Sequence, residues 1–337
     1  MPIVSIEEFL ALREQGFPVV DARSEGEFET GHIKGAINLP LLNNEHRVLV
    51  GTAYKVSGRE LAIQKGFELA GPEFAKIFKQ GRKLAFQKKI LVYCWRGGLR
   101  SKILSWVLSF TDAEIYVLEK GYKNYRNKIS EITGTHYKFV VLGGKTGTGK
   151  TEVLHLLKAA GEQILDIEAL ANHKGSSFGA LGMLPQPNQE HFENCIGEEL
   201  LKLNSNKRIW IENESRLIGH LVLPLSIFKA IKESELVELD IPLETRIARL
   251  ENEYACFETN LLEAAIVRLQ KRLGGLLYKM ALEALAEKDN KKWIQLVLEY
   301  YDSTYVYGLS KRIGKSIQLT WNWENPKESL QQLMKHD

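Results

Sequence analysis

Cysteine is scarce in this chain: Cys94, Cys195 and Cys256 are the three in 337 residues, and none stands in a CxxC pair. That spacing excludes a disulfide framework and a structural zinc site, so each thiol is judged alone. Long apolar runs are missing too, and no segment approaches the roughly twenty residues needed to cross a bilayer. The first residues, MPIVSIEEFLALREQG, carry acids where a secretory leader needs a basic start, which predicts a cytosolic protein. Low-complexity tracts and repeats of fixed period are absent. The formal net charge of +3 is too small to argue for a nucleic-acid partner by itself.

The composition is that of a folded protein. Apolar residues make up 44% and charged residues 26%, so general disorder is excluded, and 337 residues suit two domains with separate cores. Charge is unevenly placed. Between Lys76 and Lys128 thirteen basic residues face three acids (Asp112, Glu114, Glu119), a bias that suits a polyanion and equally a set of solvated helix faces.

The first 132 residues or so alternate short apolar runs with helical patterns. Ser5 and Glu8 form a capping box ahead of a first helix, and Pro18–Asp21 reads as a buried strand ending in a carboxylate. A short helix over 25–30, a glycine-bounded strand over 31–40 and helices within 58–70 and 72–80 follow. The run Ile90–Tyr93 stops at Cys94, and a glycine-bearing loop leads into an amphipathic stretch over 101–110. A strand over 115–118 and a helix over 121–132 complete a parallel-sheet pattern, and Thr133-Gly-Thr135 marks the boundary between domains 1–134 and 135–337. Strands over 138–142, 164–166, 209–212 and 236–240 begin a second α/β unit. Beyond Leu243 the spacing becomes helical over 243–254, 261–273, 278–287 and 291–301, with a last strand over 316–319 and a helix from Pro326.

Two loops carry the chemistry. Cys94-Trp-Arg-Gly-Gly-Leu-Arg-Ser101 sets a thiol at the carboxyl end of a buried strand, where loop amides and a helix N-terminus converge and favour thiolate. Gly97 and Gly98 let amides turn inward, and Arg96 and Arg100 are placed to hold an anion. Downstream, Phe139-Val-Val-Leu142 runs into Gly143-Gly-Lys-Thr-Gly-Thr-Gly-Lys-Thr151 and an apolar-periodic helix, the strand, loop and helix context of a phosphate loop. Backbone from Gly144, Lys145, Thr146, Gly147, Thr148 and Gly149 would wrap a diphosphate, Lys150 would neutralise it, and Thr151 is the natural Mg²⁺ ligand. Asp166 and Glu212 end the next strands and would position metal or water, or else serve as helix caps. No other metal site is expected.

Asp21-Ala-Arg23, Glu27-Phe28, and Gly31–Pro40 together with the Cys94 loop resemble the rhodanese family. The resemblance implies that Cys94 carries sulfur or selenium, and that Asp21, Arg23 and His32 serve the fold. Cys94 and Arg100 are separated by five residues where sulfurtransferase rhodaneses have four. That wider loop suits a tetrahedral phosphorus anion and keeps phosphatase chemistry open.

The order rhodanese-like domain, P-loop NTPase-like α/β domain, helical C-terminal extension resembles the tRNA 2-selenouridine synthase family. Tyr93–Ser101, Gly143–Thr151, Leu165-Asp-Ile-Glu168, Gly175-Ser-Ser-Phe-Gly179, Ile211–Arg216, Arg272-Leu-Gly-Gly275 and Tyr300-Tyr-Asp302 carry that likeness. It implies exchange of sulfur for selenium at wobble 2-thiouridine of tRNA, with selenophosphate as donor and an S-geranyl intermediate made from geranyl diphosphate. The phosphate loop would then hold a prenyl diphosphate in place of a nucleotide. Arg216, Arg268 and Arg272 are candidates for phosphate contacts. Tyr122, Tyr125, Tyr300, Tyr301, Tyr305 and Tyr307 are candidates for stacking on anticodon bases, or for core and rim positions. Cys195 and Cys256 read as structural thiols in helical surroundings. Two other enzymes fit the residues alone: a sulfurtransferase joined to a nucleotide kinase, and a C-x5-R phosphatase with a nucleotide-binding domain. An RNA-binding regulator with a nucleotide sensor is a third fit.

Overall fold

The computed structural model describes residues 1–335, with the backbone alone at Gln87. Its chain forms two compact units, residues 1–132 with 188–197, and 133–187 with 198–337.

The first unit contains β1 (Ile3–Val4), α1 (Ile6–Glu14), β2 (Val19–Asp21), α2 (Glu25–Thr30), β3 (Ile37–Asn38), α3 (Asn44–Ala70), α4 (Phe74–Leu84), β4 (Lys89–Tyr93), α5 (Leu99–Leu108), β5 (Glu114–Leu118) and α6 (Gly121–Gly134). The strands pair in parallel in the order β1-β5-β4-β2-β3. A sheet covered on both faces needs continuous apolar strands, and β4 supplies them. Ile90, Val92 and Cys94 enter one core cluster with Leu104 and Leu108, while Leu91 and Tyr93 enter the other with Phe9 and Tyr125.

Local chemistry sets the helix starts. Ser5 accepts from Glu8 N at 3.1 Å, and Ser24 with Glu27 forms a reciprocal capping box at α2. The glycine-bounded segment 31–40 is mostly irregular and pairs with β2 through Ile37 and Asn38, with Leu39 N donating to Asp21 O at 3.0 Å. Its remaining backbone follows turns, because Gly35 takes a left-handed φ of 77°. The helix expected within 58–70 starts fourteen residues earlier, at Asn44, and is bent at Gly58 (φ 85°, ψ −176°). That earlier half exposes Val48, Leu49, Tyr54 and Val56, so it lacks the apolar stripe by which a helix is read from sequence.

The chain continues, in the second unit except for most of α9, with β6 (Lys138–Gly144), α7 (Lys150–Ala159), β7 (Gln163–Leu165), α8 (Ile167–Ala171), α9 (Gln189–Leu201), β8 (Arg208–Glu212), β9 (Leu217–Ile218), β10 (Leu221–Val222), α10 (Leu225–Glu233), β11 (Glu235–Asp240), α11 (Leu243–Tyr254), α12 (Thr259–Val267), α13 (Gln270–Leu273), α14 (Gly275–Ala286), α15 (Asn290–Ser310), β12 (Ser316–Thr320) and α16 (Pro326–Met334). Most of α9, up to Gly197, packs with the first unit. There Tyr122 donates to Glu190 at 2.9 Å, Asn194 donates to Tyr122 Oη at 2.7 Å, and Arg126 pairs with Glu193 at 2.5 Å. The main sheet is parallel, in the order β12-β11-β6-β8-β7, and puts β6 at its centre. The helical extension from α11 to α15 has its own apolar cluster around Phe178, Trp293, Leu250 and Leu285. The pattern over 261–273 resolves into α12 and α13, and α15 runs nine residues past the expected end at 301. Among the described residues, no helix is long and apolar enough to cross a membrane.

Candidate functional site

In the first unit, β4 delivers Cys94 to its carboxyl end and α5 begins at Leu99. The connecting loop is fixed from α6: Tyr122 N donates to Cys94 O at 2.8 Å and Lys123 N donates to Trp95 O at 3.0 Å. Gly121, with φ 61°, lies so close that a Cβ there would meet Cys94 O at 2.1 Å and Gly97 N at 2.6 Å. No other residue fits at that approach. Gly97 also takes a positive φ of 66°, and Gly98 is the N-cap residue of α5.

The Cys94 side chain is 2% exposed and its thiol donates to Ser101 Oγ at 3.2 Å, while Ser101 donates in turn to Gly98 O at 3.0 Å. Arg96 is exposed. Arg100 sits in the first turn of α5, where it forks onto Glu27 at 2.6 and 3.3 Å, and that guanidinium holds the Glu27 carboxyl below its ordinary range despite burial. Sequence reasoning kept Glu27 only as part of a family pattern. The two residues lie 73 positions apart, and it is the sheet that joins them.

Beside the end of β4, where Asp21 is in register with Tyr93, lies a buried ion pair. Asp21 and Arg23 are 0% and 1% exposed; Arg23 donates to Asp21 Oδ2 at 2.6 Å and to Gly31 O at 2.7 Å, and stacks over the Tyr122 ring at 3.8 Å. This supports the structural role expected of both residues. His32 accompanies them, with its Nδ1 2.9 Å from Phe28 O and its ring stacked on Phe28. Tyr122 and Tyr125 are fully buried, which places both in the core and away from any base. Several members of the basic segment are likewise spoken for: Lys76 pairs with Glu73, Lys128 with Glu7 and Glu131, and Arg126 with Glu193.

In the second unit, β6 ends in the phosphate loop and α7 starts at Lys150. Gly147 (φ 85°) and Gly149 (φ 82°) carry the left-handed turns that aim successive amides inward. The loop is braced by the C-terminal helices. Arg246, 3% exposed, donates to Thr146 O at 3.1 Å and is clamped by Asp302 at 2.9 and 2.7 Å. Gly144 N donates to Tyr305 Oη at 2.7 Å, Ser177 N donates to Tyr301 Oη at 3.0 Å, and Trp323 Nε1 donates to Thr148 O at 3.2 Å. Tyr305, and Asp302 through Arg246, thus support the phosphate loop, Tyr301 holds the neighbouring Ser177 segment, and Tyr307 is exposed beside Lys311.

A cavity of about 400 Å³ opens on the loop, lined by Lys150 and Thr151, by Glu168, Glu212 and Glu214, and by Arg272 and Tyr300. Lys150 Nζ donates to Gly144 O at 3.1 Å, and Thr151 Oγ1 donates to Glu168 Oε2 at 3.3 Å. Each of the three glutamates offers a carboxylate oxygen within 4.8 Å of the others. Burial and mutual repulsion push Glu168 up to about 10, burial pushes Glu212 up to about 7, and Glu214 is raised for the same reason, although Lys150 pulls all three back.

Glu212 is 2% exposed, yet its Oε1 has no hydrogen-bond partner. Such a group is costly unless something positive completes it. Three carboxylates and a threonine hydroxyl make a hard oxygen donor set suited to a divalent cation. Sequence reasoning named Glu212 but passed over Glu168 and Glu214. Both stand in the stretches Leu165–Glu168 and Ile211–Arg216, and acids repeated within three residues after β7 and β8, beside a phosphate loop, were the available signal.

Asp166 lies at the rim of a neighbouring cavity of about 710 Å³, where it caps α8 through Ala169 N at 2.9 Å and pairs with His155 at 2.7 Å. The cap alternative therefore describes it. Arg216 is exposed on the approach to β9 and does not line either cavity, and Arg268 donates to Ser177 O at 2.7 Å. Cys195 lies within α9, but Cys256 sits in an exposed turn after α11, not in a helix.

Fold and sites define a rhodanese-like thiol domain joined to a P-loop domain with a helical extension. Residues 5–128 match the rhodanese-like domain family, and residues 137–336 match the tRNA 2-selenouridine synthase AAA domain. The chain is 34% identical to the tRNA 2-selenouridine synthase of Nitrosomonas europaea, covering 92% of this chain and 94% of that protein. For the Shewanella frigidimarina protein of the same name the figures are 33%, 94% and 94%, and for that of a Sulfurovum species 34%, 91% and 93%. Among solved structures, the N-terminal domain of a putative ATP/GTP binding protein from Clostridium difficile is 43% identical, with a TM-score of 0.34, over 37% of this chain and 96% of that one. The chain belongs to the tRNA 2-selenouridine synthase family, and it is an enzyme, a transferase.

Proposed function

We propose that this enzyme replaces the sulfur of wobble 2-thiouridine in tRNA by selenium from selenophosphate, through an S-geranyl-2-thiouridine intermediate made with geranyl diphosphate. The observation that carries this division of labour is the carboxylate cluster. A phosphate loop facing Glu168, Glu212 and Glu214 is equipped to neutralise a leaving diphosphate with a bound cation.

In the first step the 2-thiouridine sulfur forms a bond to the first carbon of the prenyl donor, and the C–O bond breaks with its electron pair leaving on diphosphate. Amides of Lys145, Thr146, Gly147 and Gly149 and the Lys150 ammonium take up that charge, the Gly144 and Thr148 amides being held by Tyr305 and Lys145 O. Thr151, Glu168, Glu212 and Glu214 would hold Mg²⁺, which supplies further positive charge beside the same oxygens. Alkylation makes chemical sense, because it turns a poorly leaving sulfur into a thiol.

In the second step the selenium of selenophosphate bonds to C2 of the base and the C2–S bond breaks, releasing the prenyl thiol; water then cleaves the P–Se bond, so that phosphate leaves and selenium stays on the base. Cys94 handles selenium at the head of α5. Arg96, Gly97, Gly98 and Arg100 hold the phosphorus end of selenophosphate, and that anion competes with Glu27 for the Arg100 guanidinium.

An omission series on the full chain tests the order of steps, with a stem-loop RNA bearing 2-thiouridine and nucleoside mass spectrometry as the readout. Geranyl diphosphate alone should give S-geranyl-2-thiouridine, and selenophosphate added afterwards should give 2-selenouridine. Selenophosphate alone should give neither. Selenouridine formed at full rate without a prenyl donor would exclude the intermediate.

A further inference from the structure

The first unit holds an apolar cavity of about 180 Å³ beside the Cys94 loop. Leu41, Leu42 and Ala62, each under 7% exposed, line its buried side, and Leu41 and Leu42 belong to the same core cluster as Cys94. Ile63 and Ile103 form its walls, while Phe67 and Leu99, about half exposed, open it to solvent. Two cations stand among these side chains: Arg59, and Arg100 of the loop itself. The bend at Gly58 shapes the site, since it lets Tyr54 from one half of α3 and Ile63 from the other line one space.

We infer that this cavity holds the hydrocarbon chain of the alkylated 2-thiouridine while selenium replaces sulfur, which rests on the proposal that a prenylated intermediate is made. The sulfur that carries the chain is bonded to the carbon that selenium attacks. The chain therefore starts within a few bonds of the reacting atoms and must lie against the surface beside the Cys94 loop. An apolar cavity of about 150 Å³ admits a six-carbon ring, so one of this size accepts a short branched hydrocarbon. A base or a phosphate would leave its polar edges unpaired against Leu41, Leu42, Ile63 and Ile103. Arg59 then lies where a phosphate flanking the modified nucleotide would pass, while Arg100 stays with the selenophosphate. The phosphate-loop cavity makes a contrast, being lined by Lys150, Thr151 and three glutamates.

The test uses the full-length protein, its Ile63→Trp variant, which fills the cavity, and its Phe67→Ala variant, which removes one wall from a half-exposed position. Selenation rates are compared for stem-loop RNAs bearing S-geranyl- and S-methyl-2-thiouridine, and prenylation of 2-thiouridine RNA is measured in parallel. The parent should prefer the geranyl substrate by at least about tenfold, the scale on which apolar pockets discriminate. Ile63→Trp should erase that preference, mainly through KM for the geranyl RNA. Its S-methyl rate and its prenylation rate should stay unchanged, which shows the variant is folded, and Phe67→Ala should lie between. A retained preference in both variants overturns the placement of the chain. A parent that does not convert S-geranyl RNA at all overturns the intermediate and this inference with it. Loss of self-association in Ile63→Trp by sedimentation, with the preference intact, assigns the cavity to a second copy of the chain instead.

Discussion

Removing the Lys150 ammonium should separate the two half-reactions. Lys150 begins α7, donates to Gly144 O at 3.1 Å and is the cation that pulls Glu168, Glu212 and Glu214 down toward ionisation. In Lys150→Ala a charge-assisted contact to diphosphate disappears, a loss of about 1.5–3 kcal/mol. At about 1.4 kcal/mol per decade, geranyl diphosphate should bind roughly 10- to 150-fold more weakly. The three glutamates lose a compensating charge at the same time, so the upper part of that range is expected at low Mg²⁺ and the lower part at saturating Mg²⁺. Equilibrium binding of geranyl diphosphate gives the affinity, and single-turnover assays on 2-thiouridine and S-geranyl-2-thiouridine RNA give the two rates. Prenylation should fall with the affinity, and selenation of the pre-geranylated RNA should persist because the Cys94 loop keeps all its contacts. Unchanged affinity, or equal loss of both rates, would refute the assignment of the phosphate loop to the prenyl donor.

Three further outcomes follow from the same contacts. Arg23→Met leaves Asp21 charged and buried, so chemical denaturation should show the first unit destabilised by about 3–5 kcal/mol; a loss under 1 kcal/mol would mean the pair is not carrying that unit. In metal-free protein Glu168 and Glu212 keep protons that the unfolded chain gives up near its ordinary carboxylate pKa, so the native state binds more protons above that point and stability falls as pH rises from about 5 toward 8; Mg²⁺ should raise Tm more at pH 8 than at pH 5.5, and a pH-independent effect would contradict the cluster as its site. Deleting Gly98 restores the four-residue spacing between Cys94 and Arg100, and with folding verified it should lower selenophosphate turnover and raise thiosulfate sulfurtransfer; an unchanged preference between the donors removes loop length as the selector.

The two loops were legible because each is local. Cys94–Ser101 and Gly143–Thr151 announce strand, turn and helix within a dozen residues, and their glycines sit at positive φ at 97, 147 and 149. Partners supplied through the fold were not legible. Glu27 reaches Arg100 only after β2 and β4 pair, and Asp302 reaches Arg246 only when α15 packs on α11. Helix α9 contributes to the first unit from more than fifty residues beyond Gly134, which no local pattern encodes. The C-terminal tyrosines illustrate the same limit. Their spacing near basic residues allowed base stacking, yet Tyr301 and Tyr305 accept hydrogen bonds from Ser177 N and Gly144 N. The exposed first half of α3, with no apolar stripe, escaped periodicity and turned out to border the cavity beside Cys94.

The most direct measurement is nucleoside mass spectrometry of total tRNA from cells lacking this gene, complemented with the full chain, with Cys94→Ser, or with a Cys195→Ala and Cys256→Ala double variant. Serine fills the same space and keeps the hydrogen bond to Ser101, but its oxygen cannot carry selenium and is barely ionised at neutral pH. The full chain and the double variant should restore 2-selenouridine, while Cys94→Ser should restore none and should accumulate S-geranyl-2-thiouridine. Normal 2-selenouridine in the Cys94→Ser cells would contradict the account at its centre.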